Sequence, residues 1–243
     1  MDNSYRVLTI ASLLLFTACK SRDDKGAILL FSGTGASAGD VAAVETVLRD
    51  NHLDYSTVRS GQLNGMSESQ LRSYHLLIVP GGNFIDIGNS LAPATTANIR
   101  KSVKNGLNYL GICAGAFFAG NSGYNGLNLT SGVRFSFYAA ESRGIRKTAV
   151  AITGAEGQTL DQYWEDGPQL TGWGEVVGKY PDGTPAIVQG TSGSGWVILT
   201  GVHPEAPEHW RHGITVTTPV SLDHAYAGAL IRAALNRTPL PHY

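Results

Sequence analysis

The sequence predicts an α/β domain with a mostly parallel sheet and helices on both faces. Short apolar runs that end in turn residues alternate with segments of helical periodicity, which is the pattern of βαβ units. Hydrophobic residues make up 42% of the chain and charged residues 15%, which fits a packed protein and excludes a disordered one. The 30 glycines cluster in turns beside the apolar runs, so we expect tight turns and close backbone approaches.

The start of the chain predicts an export signal. Residues 7–16 form a mostly apolar run that is too short to span a bilayer. The small residues before Cys19 resemble a bacterial lipoprotein signal, in which Cys19 becomes the lipidated first residue. We therefore predict a signal peptide at 1–18, a polar tether at 19–25 and the domain at 26–243. An ordinary secreted protein cut nearby and, less favoured, a retained anchor helix are the alternatives.

The predicted lipid would hold the domain at the membrane of the cell envelope. Lys20 stands where an acidic residue would favour inner-membrane retention in many Gram-negative bacteria, so we expect the periplasmic face of the outer membrane. A disulfide between Cys19 and Cys113 is the less favoured alternative to lipidation. The net charge is −1 with no block of like charge, so we expect no nucleic-acid partner. The oligomeric state stays open.

The elements of the mature chain follow from periodicity and turn residues. Apolar runs predict strands at 27–32, 55–58, 76–79, 107–112 and 195–202. Helical spacing predicts helices from Asp40 onward, at 95–107 and at 221–236. Shorter β-like segments at 133–138, 145–152, 175–180 and 186–189 predict an antiparallel extension of the same domain. Because sites in parallel sheets lie beyond the carboxyl ends of strands, we expect the site at the glycine-rich turns after 76–79 and 107–112.

A cysteine stands between a predicted buried strand and a helix start, in the run Gly111-Ile112-Cys113-Ala114-Gly115. This spacing matches a nucleophile elbow, a strained turn whose neighbours must be small. The free N–H groups and the positive dipole end of the following helix favour a thiolate there. The alternative is one of the small buried cysteines of ordinary cores.

A second motif, His203-Pro204-Glu205, directly follows the predicted strand at 195–202. If the chain stays extended there, the two side chains project to the same side, and the carboxylate can orient the imidazole toward a thiol. His-x-Glu alone is a weak signal, but two motifs at strand ends predict a triad of Cys113, His203 and Glu205. The N–H groups of the Pro80-Gly81-Gly82 turn and of Ala114 are the predicted oxyanion donors, a plain turn being the alternative.

Metal, cofactor and phosphate sites have little support in the sequence. The motifs of zinc proteases and paired-cysteine metal sites do not occur, so we predict neither a metal nor a cofactor. His209 and His212 are expected on the surface of a short helix. The Gly33-Thr34-Gly35 turn lacks the rest of a nucleotide motif, so we expect no phosphate there.

Together, the elbow, the His203-Pro204-Glu205 run about ninety residues later and the Pro80-Gly81-Gly82 turn resemble class I glutamine amidotransferases. The runs at 163–168 and 186–205 look most like the amidotransferase-like N-terminal domain of biotin-protein ligases. The resemblance covers 26–236. It implies a flavodoxin-like doubly wound core and carries the catalytic roles to Cys113, His203 and Glu205.

One position departs from the family pattern. Glutamine-using members usually carry a glutamine that helps to hold the substrate where this chain has Phe117, so the resemblance does not imply glutamine as substrate. Biotin-ligase activity does not follow either, because these residues leave no room for the ligase's catalytic domain.

We therefore predict an exported cysteine hydrolase or amidase that acts on a small amide or ester. Phe117 is placed among its substrate-binding residues, and the aromatic pair Tyr163 and Trp164 are candidate pocket walls. A non-catalytic envelope lipoprotein that binds a ligand or partner in the same pocket is the first alternative. A structural envelope protein with an inaccessible Cys113 is the second.

Overall fold

The structure is a computed structural model that describes residues 27–138, 144 and 146–243. The predicted signal peptide, the lipidation site Cys19 and the tether at 19–25 lie outside the described residues. Within the described residues, no helix is both long enough and apolar enough to cross a membrane.

One nine-stranded sheet organises the domain, in the order β2-β1-β3-β4-β11-β10-β9-β6-β7. Its first four strands are β1 (Ile28–Phe31), β2 (Tyr55–Val58), β3 (Leu76–Val79) and β4 (Asn108–Ile112). Its later strands are β6 (Lys147–Gly154), β7 (Thr159–Glu165), β9 (Glu175–Lys179), β10 (Pro185–Ser192) and β11 (Gly195–Thr200). Two short strands, β5 (Ser136–Phe137) and β8 (Pro168–Gln169), pair separately.

The sheet has a parallel half and an antiparallel half. Neighbours from β2 to β11 pair in parallel, and neighbours from β11 to β7 pair antiparallel. This confirms the predicted flavodoxin-like α/β fold with a β-rich extension. The extension continues the same sheet.

Helices cover both faces of the parallel half. The helices are α1 (Ala38–Asp50), α2 (Ser60–Asn64), α3 (Glu68–Leu71), α4 (Phe84–Asn89), α5 (Pro93–Lys104), α6 (Ala114–Ala119) and α7 (Val220–Asn236). Alternate residues of β1 face opposite ways, as the two-residue period of a strand requires. Ile28 and Leu30 pack in one core with α1 and α7, whereas Leu29 and Phe31 pack in the other with α5 and α6.

The antiparallel half curls back toward the parallel half. Its edge strand β7 returns to the segment after β11, where Tyr163 and His203 form an isolated antiparallel bridge. The N–H of His203 donates to the carbonyl of Tyr163 at 2.8 Å. This closure brings the end of β7 to the carboxyl ends of the parallel strands.

Several predicted boundaries were wrong in detail. The helix expected at 95–107 begins earlier, because Pro93 suits a first helical position, and it ends at Lys104 so that 107 can lead into β4. The strand expected at 133–138 is reduced to Ser136–Phe137, and the strand expected at 195–202 ends at Thr200. The strand expected at 145–152 runs from Lys147 to Gly154, and residue 145 lies outside the described residues.

Candidate active site

Cys113 occupies a strained turn between β4 and α6. Its φ of 48° and ψ of −102° lie in a region that residues with a side chain rarely adopt, and such strain collects at functional sites. The backbone N–H of Cys113 donates to the carbonyl of Thr200 on β11 at 2.8 Å, which ties the turn to the neighbouring strand. The thiol is free and only 5% exposed, yet it lines a cavity.

The two glycines that flank Cys113 are required by backbone crowding. A Cβ atom on Gly115 would lie 2.0 Å from the carbonyl oxygen of Val79, and one on Gly111 would lie 2.6 Å from the carbonyl oxygen of Gly115. Neither backbone atom can move away as a flexible side-chain end could. The glycine spacing that suggested an elbow therefore has a steric cause in this chain.

His203 and Glu205 are brought together by a turn after β11. His203 Nδ1 lies 2.9 Å from Glu205 Oε1, and both side chains are buried. The expectation of an extended segment was wrong, because the N–H of Ala206 donates to the carbonyl of His203 at 3.2 Å and closes a turn. Pro204 takes the second position of this turn, where its fixed φ is favoured.

Asp40 is a second carboxylate on the same imidazole nitrogen, and the sequence reasoning missed it. Its Oδ1 lies 3.2 Å from His203 Nδ1, and its side chain is buried. Asp40 stands in the first turn of α1, where Ser37 caps the helix by accepting a hydrogen bond from the Asp40 N–H. The signal was present, since a capped helix start after β1 lies at the same sheet edge as the other site residues.

Gly81 makes room for this contact. A Cβ atom at Gly81 would lie 2.0 Å from Asp40 Oδ1 and 2.6 Å from His203 Cε1. Gly81 was predicted among the oxyanion or substrate-binding residues. In the structure Gly81 packs against the Asp40 carboxylate and the imidazole, whereas Gly82 lines the cavity.

The charges around His203 favour its protonated form. Burial alone would lower the pKa of His203, but the charges of Cys113 and Glu205 and the neighbouring Asp40 carboxylate raise that pKa well above its usual value. For Asp40, burial raises the pKa, but the nearby imidazole of His203 outweighs burial and leaves the pKa lowered. The geometry therefore suits an imidazolium held between two carboxylates and a sulfur.

The same three side chains are the one group among the described residues with the composition and spacing of metal ligands. Ligand atoms of Asp40, His203 and Glu205 all lie within 4.8 Å of one another. His203 Nδ1 is already hydrogen-bonded to Glu205, so a cation there would have to replace that proton.

Gly82 and Ala114 both line the cavity beside Cys113. Gly82 has a φ of 137°, and a Cβ atom there would lie 2.1 Å from the carbonyl oxygen of Gly35, so glycine is needed. An antiparallel bridge between Ala36 and Gly82 fixes the turn. Within the described residues, the N–H groups of Gly82 and Ala114 donate no hydrogen bond, which leaves both available to an oxyanion.

The cavity has a volume of about 730 Å³ and two aromatic sides. Phe84, Phe117 and Phe137 line one part of it. Tyr163 and Trp210 line another part, with ring centroids 5.4 Å apart. Trp164 does not line the cavity, because it is fully buried and its indole N–H donates to the carbonyl of Gly167.

His209 and His212 lie at either end of a short turn of 3₁₀ helix, Glu208–Arg211, that carries Trp210. His212 is exposed, as expected for a surface residue. His209 is also exposed, as expected, and it lines the cavity in addition. The sequence held no signal for Trp210, since its approach depends on Gly39 of α1, where a Cβ atom would lie 3.3 Å from the indole ring.

The fold is similar to those of several solved structures. A glutamine amidotransferase superposes with a TM-score of 0.58 at 21% identity, over 74% of this chain and 91% of that chain. A cytoplasmic protein from Salmonella typhimurium gives 0.53 at 13%, over 84% of this chain and 98% of that chain. A β-galactosidase from Rahnella sp. R3 gives 0.55 at 13%, over 89% of this chain but only 32% of that chain. At these identities the likeness concerns the fold alone.

No curated protein sequence matches the chain. The family model for the N-terminal part of biotin-protein ligase matches residues 26–149, which include Asp40, Gly82 and Cys113 but not His203 or Glu205. The match covers more than half of the 243 residues. The chain therefore belongs to the biotin-protein ligase N-terminal family, with the glutamine amidotransferase-like fold that its sequence predicted.

Proposed function

We propose that this protein is an exported cysteine hydrolase that cleaves a small amide or ester at the cell envelope. The observation that carries the proposal is the strained Cys113 turn beside a buried His203 whose Nδ1 is held by two carboxylates. A cysteine that only filled a core would need neither the strain nor the partners.

The proposed reaction has two halves. The Cys113 thiolate forms a bond to the substrate carbonyl carbon, and the N–H groups of Gly82 and Ala114 stabilise the oxyanion. As the C–N or C–O bond breaks, His203 gives its proton to the leaving amine or alcohol. Water then adds to the acyl-enzyme and gives up a proton to His203, and the carboxylic acid leaves with Cys113 regenerated.

Asp40 and Glu205 orient the imidazole in this scheme. With Nδ1 turned toward both carboxylates, Nε2 is the ring nitrogen left for the sulfur and the leaving group. Phe117 supports a substrate other than glutamine, because an apolar ring cannot supply the hydrogen bonds of the glutamine that stands there in glutamine-using relatives.

The proposal is tested by the pH dependence of Cys113 alkylation with iodoacetamide, followed by mass spectrometry of the Cys113 peptide in the full chain. An unassisted thiol reacts slowly at about pH 6, far below its reference pKa of about 8.5. We expect fast alkylation there, because the raised pKa of His203 keeps an imidazolium beside the sulfur. His203→Ala should remove the fast reaction.

His209→Ala is the matched control and should leave the rate unchanged, since His209 lines the cavity whereas the hydrogen bond to Glu205 is made by His203. Slow alkylation that ignores His203→Ala would favour the alternative, an envelope lipoprotein that binds a ligand or partner in the same pocket without chemistry. Once a substrate is found, Cys113→Ala should abolish turnover and keep the fold.

We propose further that Cys19 is lipidated and that Lys20 directs the protein to the outer membrane. The support is the apolar run at 7–16 and the small residues before Cys19. Labelled palmitate should enter the full chain, and Cys19→Ser should prevent this. Equal labelling of Cys19→Ser would contradict the anchor without touching the hydrolase proposal.

A further inference from the structure

Three phenylalanines, which we call the aromatic wall, lie beside the nucleophile: Phe84, Phe117 and Phe137. Phe117 stands one helical turn after Cys113, stacks on Phe84 at 4.7 Å between centroids and lies 4.8 Å from Phe137. All three line the cavity, and Phe137 is 40% exposed. An exposed ring continuous with two sheltered ones offers apolar surface that the protein itself leaves uncovered.

The charged side chains of the cavity are partly satisfied within the protein. The hydroxyl of Tyr163 donates to Glu165 Oε2 at 2.5 Å, and Asp166 pairs with Arg146 at 2.6 Å. A free amino acid such as glutamine would need partners for both its ammonium and its carboxylate. Lys147 also lines the cavity, but the part formed by the aromatic wall is apolar and suits an uncharged group better.

Resting on the hydrolase proposed above, we propose that the substrate class is an amide or ester whose acyl part carries an aromatic ring, as in an arylacetyl group. The carbonyl lies at Cys113 between the N–H groups of Gly82 and Ala114, and the ring lies against the aromatic wall. Trp210 and Tyr163 line another part of the cavity. Ring-on-ring packing in offset or edge-to-face geometry adds to the burial of apolar area.

Protection of Cys113 from alkylation tests this assignment without a known substrate. Phenylacetamide, acetamide and glutamine are added to the full chain in detergent, and iodoacetamide labelling is followed at the Cys113 peptide. We expect phenylacetamide to protect at a concentration at least about tenfold below that of acetamide, and glutamine to protect no better than acetamide.

Two variants connect the protection to the aromatic wall. Phe137→Ala removes an exposed ring and should weaken protection by phenylacetamide about threefold to tenfold, with the acetamide value unchanged. Phe117→Gln, which places an amide in the wall, should remove the preference for phenylacetamide. Tyr243→Ala is the control, because Tyr243 is an exposed aromatic residue that contacts the opposite end of β6.

The outcomes separate the ligand class from the chemistry. If Cys113 reacts fast but acetamide and phenylacetamide protect equally, or Phe137→Ala changes nothing, the arylacetyl assignment is overturned and the hydrolase stands. If Cys113 does not react with iodoacetamide, the hydrolase fails, and calorimetric titration of the Cys113→Ala chain with phenylacetamide still tests the ligand class. Binding there that Phe137→Ala weakens would support it, and no binding would overturn it.

Discussion

The parallel and antiparallel halves of the sheet contribute different kinds of residue to the cavity. Asp40, Gly82, Cys113 and His203 all follow carboxyl ends of parallel strands, in the segments after β1, β3, β4 and β11. The antiparallel half supplies side chains of β6 and β7, among them Tyr163, that enclose the cavity. The proposed chemistry thus belongs to one half, and much of the enclosure belongs to the other.

Two glycines, one from each half, differ in what surrounds them. In the parallel half, a Cβ atom on Gly115 would meet the backbone of Val79, whereas one on Gly178 of β9 would meet the Cγ2 methyl of the Ile152 side chain at 2.9 Å. Backbone at a strand end cannot yield, but a side-chain end can change rotamer. Gly115 of the elbow is therefore less tolerant of substitution than Gly178.

The largest expected effect comes from breaking this contrast at Gly115. We expect Gly115→Ala to lower the free energy of unfolding by at least about 1–3 kcal/mol, the usual cost of overpacking. Gly178→Ala should cost less, and Gly123→Ala, in open space, should stay within about 0.5 kcal/mol of the parent. Urea denaturation of the three variants gives the ranking. Equal losses for Gly115→Ala and Gly178→Ala would remove the distinction between these two positions.

The site residues of the parallel half could be predicted from the sequence because their signals are local. The apolar runs, the glycines around Cys113 and the His203-Pro204-Glu205 run can each be seen within a few residues, and the parallel topology brings their ends to one edge. The meeting of His203 and Glu205 was expected from an extended strand, whereas a turn produces it. The residue pair was predicted from an incorrect local conformation.

The enclosing residues could not be predicted because they depend on the curl of the antiparallel half. Nothing within 159–165 indicates that β7 returns to His203, or that Trp210 lies over Gly39. Asp40 could be predicted only in part. The start of its helix is a local signal in the sequence, but its contact with His203 is not. Contacts of this kind join segments far apart in the sequence, so the local sequence of either segment cannot predict them.

The next largest effect sharpens the role of the two carboxylates in the parallel half. Asp40→Asn and Glu205→Gln each leave one carboxylate on His203 Nδ1. Each should slow Cys113 alkylation near neutral pH by about tenfold or less, because one pKa unit of His203 corresponds to a factor of ten. The double variant should lose more than the product of the single losses.

Asp86→Asn is the control for this series, because Asp86 lies in the first turn of α4 as Asp40 does in α1. It should leave the alkylation rate unchanged. If Glu205→Gln abolished fast alkylation and Asp40→Asn had no effect on the rate, Asp40 would be a neighbour of the imidazole that does not orient it.

A third effect concerns how the segment that carries Trp210 is held in place. Arg211, the next residue, is buried, donates to Asp223 at 2.5 Å and donates to the carbonyl of Thr218 at 2.9 Å. Burial raises the pKa of Asp223 to about 6, even though Arg211 acts to lower it. The neutral carboxyl is therefore favoured more in the folded chain than in the unfolded one.

This raised pKa gives a stability contribution that is present below the unfolded value of 3.8 and is lost as pH rises through about 6. We expect the free energy of unfolding of the parent chain to fall relative to that of Asp223→Asn between those two pH values, and the difference to level off above about pH 6. Urea denaturation of both chains across this range measures the difference, in which titrations common to the two chains cancel. A difference that does not vary with pH would show that the Arg211 pair, not burial, controls the charge of Asp223 and that the segment carrying Trp210 is held by a permanent ion pair.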